Sequence, residues 1–104
     1  MSNVKDHVQS IAKTLSEGFG DELNHEGESF SAFDYLQDAL DIEYIVNSKR
    51  EYLGARVLVA FGGPNIWINT RTGTVEGHWW GDSATASFTD AIGLDDALSE
   101  LYNC

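Results

Sequence analysis

At Asp41 the apolar pattern of this chain changes period, and that change constrains the fold more than any other feature. Before it, apolar residues recur at helical spacing. After it, from Ile42 to Trp80, they recur every second residue, which is the spacing of strands. Val4, Val8, Ile11 and Leu15 form one stripe on a first helix, which Gly18 and Gly20 end by supplying left-handed backbone. A Gly-rich acidic loop follows over 18–29. A second helix starts near Ser31, where Ser31 and Asp34 form a capping-box variant. On its wheel Ala32, Phe33, Tyr35, Leu36, Ala39 and Leu40 share one arc, while Asp34, Asp38 and Asp41 lie opposite. Strands are then expected at Ile42–Asn47, Tyr52–Phe61, Ile66–Asn69 and Thr74–Trp80, joined by short turns at 48–51, 62–65 and 70–73. Ser83–Phe88 reads as either a short edge strand or a loop. A last helix carries Leu94, Ala97, Leu98 and Leu101 on one stripe, with Asp95 and Asp96 in its first turn.

The expected fold is α+β: a four-stranded antiparallel meander with two N-terminal helices and one C-terminal helix packed on one face, in a single domain over 1–104. The chain has 104 residues, 42% of them hydrophobic, which is enough for one core without disulfides. The single cysteine, Cys104, is terminal, as suits a reducing compartment. The start MSNVKDHVQS has no apolar run behind a basic segment, so no signal peptide is expected. No stretch approaches ~18 apolar residues, so no membrane span is expected, and a cytoplasmic location follows.

Charge divides the chain along the same lines. Residues 1–48 hold ten acids and two bases, 49–81 two acids and four bases, and 82–104 five acids and no base, for a net of −11. Between Glu17 and Glu43 there are nine acids and no Lys or Arg. Such a chain repels nucleic acid and anionic membranes, and attracts basic protein surfaces, including those that hold phosphates. Asp34, Asp38 and Asp41 at i, i+4 and i+7 would stand ~5–6 Å apart on one helix face. With Asp21, Glu22, Glu26 and Glu28 beside them they could form a phosphate-like row, or simply a solvated face.

Other motifs are weaker. The loop DELNHEGE has carboxylates around His25 but lacks the EF-hand pattern, since Leu23 stands at a ligand position and Gly27 falls one residue late. No metal or cofactor is therefore expected. No G-x-S-x-G elbow, P-loop, G-x-G-x-x-G or Ser-His-Asp order occurs, and His78 with Asp82 has no nucleophile, so an enzyme is not expected. The three Trp residues, Trp67, Trp79 and Trp80, all fall in the sheet half. If strand four is regular, Trp79 faces the core, while Trp80 shares the other face with Glu76 and His78. An open sheet face holding Trp80, Arg56 and either Trp67 or Tyr44 has the composition of an interface hot spot.

In size and charge layout the chain resembles the small acidic inhibitors that phages and mobile elements make against host nucleases, the anti-CRISPR and antirestriction proteins of DNA-mimic type. The tract FGGPNIWINTRTGTVEGHWWGD (Phe61–Asp82) looks like a family signature, but no site residue carries over from it. The resemblance implies an inhibitor that binds the basic nucleic-acid surface of a bacterial defence nuclease, a CRISPR effector or restriction enzyme, and competes with DNA. The alternative is a non-enzymatic immunity or adaptor domain that binds through its Trp-rich sheet face. Neither reading implies an oligomeric state.

Overall fold

The computed structural model describes residues 4–23 and 26–104. Helix α1 (Val4–Glu17) buries Val4, Val8, Ala12 and Leu15, with Ile11 half-buried at the edge of the same stripe. It ends at Gly18, whose N–H donates to the Thr14 carbonyl at 2.8 Å and whose φ of 88° is the left-handed geometry of a helix terminator.

Helix α2 (Ala32–Leu36) is much shorter than its wheel predicts. The capping box is present. Ser31 Oγ accepts from the Asp34 N–H, and the Asp34 carboxylate accepts from the Ser31 N–H at 2.8 Å. The helix stops because the chain is drawn into the sheet. The Leu40 N–H donates to the Leu58 carbonyl at 2.8 Å, and β1 (Asp41–Val46) starts at the next residue.

The sheet has five strands, not four: β1, β2 (Tyr52–Ala60), β3 (Asn65–Asn69), β4 (Thr74–Trp79) and β5 (Asp82–Ser87), in the order β1-β2-β3-β4-β5 with every neighbour antiparallel. The segment open to two readings is thus a strand. Its small polar residues pair with β4 beneath α1, and that packing supplies what its β-propensity does not. β2 carries an irregularity between Leu58 and Ala60 and ends one residue early, so Phe61, expected as its last residue, lies outside it and is exposed.

α1 lies across β4 and β5, and α3 (Leu94–Tyr102) lies across β2 and touches α2. Asp90 caps α3, its carboxylate accepting from the Leu94 and Asp95 N–H groups at 2.8 Å each. The core between the layers holds Ala55, Val57, Ile66, Ile68 and Val75 from the sheet, under Leu94, Ala97 and Leu98 of α3 and the α1 stripe. Leu101, expected on the α3 stripe, is exposed near the helix end. Gly77 lets α1 come close, because a Cβ there would sit 2.7 Å from both Val4 Cγ2 and Val8 Cγ2.

The molecule is a slab of 40 × 40 × 23 Å. All three helices belong to one layer, and no element among the described residues covers the other sheet face. No described helix is long and apolar enough to cross a membrane.

Candidate interaction surface

The uncovered face is read from the strand register. Asp41, Leu58, Trp67, Glu76 and Thr85 form one row across the five strands, and Glu43, Arg56, Asn69, Thr74 and Ser87 form the next. Arg56 and Trp67 are therefore neighbours, as the sequence suggested. Their side chains engage each other. The guanidinium lies 4.2 Å from the centre of the Trp67 ring and pairs with Glu43 at 3.0 Å. This middle part of the face is a closed unit of cation, ring and carboxylate. Tyr44 is not on it. Tyr44 pairs with Ala55 on the helix side, where it packs against Tyr52 and Tyr102. In that cluster the Tyr52 hydroxyl donates to Asp95 Oδ1 at 2.6 Å, and burial followed by this bond raises its pKa well above the usual tyrosine value.

Trp80 is not on the sheet face either. β4 and β5 close with the pair Trp79–Asp82, which leaves Trp80 and Gly81 as a two-residue hairpin loop. Both loop residues have positive φ, 53° and 77°, as a type I′ turn requires. Gly81 adopts this geometry at no cost. Trp80 does not, since a bulky L-residue in the left-handed region is strained by roughly 1–2 kcal/mol. The fold recovers little from it, because Trp80 is 88% exposed. Asn or Gly is the usual occupant of this position. Along β4, Trp80 lies six residues past Thr74, which shares a row with Arg56, so the two predicted contact residues are about 20 Å apart.

The tip has company. Phe61, in the neighbouring β2–β3 loop, is 73% exposed. That loop is held by Asn65, whose Oδ1 accepts from the Gly62 N–H at 3.0 Å. Between loop and hairpin is an open cleft of about 490 Å³ lined by Gly62, Gly63, Asn65, His78 and the turn from Trp79 to Ser83.

The acidic row is broken up. Asp34 sits in α2 and is engaged in the capping box, Asp38 lies in the turn after it, and Asp41 opens β1 with Oδ1 accepting from the Ile42 N–H. They do not share a helix face. Asp21, Glu22, Glu26 and Glu28 are exposed in a loop pinned by the Leu23–Ser29 bridge and by the Phe30 N–H on the Glu22 carbonyl. Phe19 packs between Phe30 and Tyr35, with ring centres at 4.7 and 5.6 Å, and so fastens this loop to α2. His25 lies outside the described residues. Among those residues no group of three His, Cys, Asp or Glu is placed to hold a metal ion.

No protein-family model, curated protein or solved structure matches the chain.

Proposed function

We propose that this protein is a non-enzymatic binding module that docks on a basic, nucleic-acid-binding surface of another protein and competes with nucleic acid there. An inhibitor of a bacterial defence nuclease is the form of this function that the size and charge layout favour. The observation that carries the proposal is Trp80, a strained and almost fully exposed tryptophan on a chain of net charge −11. Solvent and core packing give no reason to hold a large apolar ring in a left-handed turn position. A partner does, since Trp is among the residues most enriched at the anchoring points of interfaces.

Shape and charge support the same reading. The accessible surface is 6557 Å², against roughly 5,800 Å² for a compact monomer of this mass. The excess belongs to a thin slab with one bare sheet face. Self-association is opposed by the repulsion of two strongly acidic copies, so the surface suits a cationic partner of another kind. The acids work as a distributed field, not as an ordered row, with Asp21, Glu22 and Asp38 exposed and available to it.

The test is DNA cleavage by a panel of CRISPR effectors and restriction enzymes, with the protein titrated in. Inhibition of a sensitive enzyme should weaken with added competitor DNA and with salt, since charge attraction is screened over ~8–10 Å at ordinary ionic strength. Trp80→Ala should abolish it. Inhibition that ignores salt, competitor DNA and Trp80 alike would refute the proposal. The bare face with Leu58 and Trp67 favours a second reading, an adaptor that binds through the sheet. In that case Trp67→Ala and Arg56→Ala disable binding, and Trp80→Ala does not.

A further inference from the structure

We infer that the cleft at the β4–β5 tip receives an arginine side chain of the partner, stacked on Trp80 and paired with Asp82. This rests on the reading above that the partner is basic.

The molecule itself shows how such a site is built. In the middle of the sheet, Arg56 lies 4.2 Å from the Trp67 ring centre and pairs with Glu43 at 3.0 Å. The tip offers a ring and a carboxylate that no Lys or Arg among the described residues joins. Trp80 presents its ring, and Asp82 stands two residues on, after Gly81. Among the described residues Asp82 is the sole carboxylate lining the cleft, and no Lys or Arg lines it. One Asp82 oxygen accepts from the Ser83 N–H at 3.0 Å, which fixes the carboxylate at the rim.

The other walls suit a planar, donor-rich group. Gly62, Gly63 and Gly81 expose bare backbone, and a Cβ built on any of them would meet nothing within 4 Å. A flat guanidinium can therefore approach the backbone closely while its face meets the indole. Its five N–H donors match carbonyl and carboxylate acceptors better than the point charge of lysine does. An anion could accept from His78 and Asn65 at the cleft wall, but it meets Asp82 and a field of like charge. A neutral sugar can stack on Trp80 but gains nothing from the carboxylate's charge.

The experiment follows the tryptophan indole N–H signals of the ¹⁵N-labelled protein in 0.15 M salt, titrated with a tetra-arginine peptide, a tetra-lysine peptide and maltotriose. The Trp80 signal should move with tetra-arginine while that of Trp67 stays in place. Tetra-lysine should bind several-fold more weakly. Asp82→Asn should weaken tetra-arginine binding about fivefold, while Glu100→Gln, which removes the same charge from α3, should leave it unchanged. A Trp80 signal that ignores tetra-arginine, equal losses in the two charge variants, or a response to maltotriose alone would overturn the inference. The two proposals fail separately. If Trp80→Ala abolishes nuclease inhibition while tetra-arginine leaves Trp80 unmoved, the arginine site is wrong and the docking proposal stands.

Discussion

Replacing Trp80 by Asn should make the protein more stable and less able to bind. Asn tolerates the left-handed conformation that the turn imposes, so the substitution relieves about 1–2 kcal/mol of backbone strain. Against this stands lost burial. A tryptophan buries up to ~250 Å² when enclosed. At 88% exposure roughly an eighth of that is covered, about 30 Å², which contributes about 0.7 kcal/mol. The net gain is about 0.3–1.3 kcal/mol, or ~1–6 °C in Tm for a domain of this size. Urea unfolding followed by circular dichroism reads it directly, as a higher midpoint at unchanged slope. The same variant should lose nuclease inhibition. A fall of more than about 2 kcal/mol, the scale of deleting a packed large side chain, would refute the reasoning, because it would mean that Trp80 holds the fold together.

Three further outcomes are expected. Gly77→Ala drives a methyl group into Val4 and Val8 and should cost about 1–3 kcal/mol by urea unfolding, with α1 displaced from β4. Ser31→Ala removes the cap of α2 and should cost about 1 kcal/mol, with faster amide exchange confined to residues 31–38. Tyr52→Phe removes the bond to Asp95 and should cost about 1 kcal/mol at neutral pH. Because the folded-state pKa of Tyr52 is raised above 10, the stability it contributes is full below about pH 10 and lost as pH rises further. The gap between the parent protein and Tyr52→Phe, measured by urea unfolding at each pH, should therefore narrow above pH 10.

Local signals in the sequence were sound where local physics decides. The α1 stripe, the Ser31–Asp34 box and the 70–73 turn, which Asn69 Oδ1 braces by accepting from the Arg71 and Thr72 N–H groups, all follow from neighbours in the chain. The length of α2 does not. A helical wheel places Asp38 and Asp41 beside Asp34, but the segment is ended by a hydrogen bond to Leu58, a residue far along the chain that no periodicity reveals. β5 is concealed for the same reason, since its partners β4 and α1 make it a strand. Trp80 is exposed, as an uncovered position implies, but it lies in a turn and not on the strand face. Alternation carried it onto the strand face, whereas a loop of just two residues ending in Gly81 was the sign of a hairpin turn. The unusual residue in that turn hid the sign.

The position of α1 also sets the order in which the protein can assemble. The strands pair only with their sequence neighbours, so each hairpin can close within microseconds of its synthesis. Helix α1, however, is made before the sheet and rests on the last two of its strands. Its apolar stripe lacks its full seat until β5 ends at residue 87, and docking must then close a loop of more than fifty residues, at an entropic cost that local pairing does not bear. α1 is thus expected to arrive late, after the transition state. Weakening its seat, as Gly77→Ala does, should accelerate unfolding and leave the folding rate nearly unchanged.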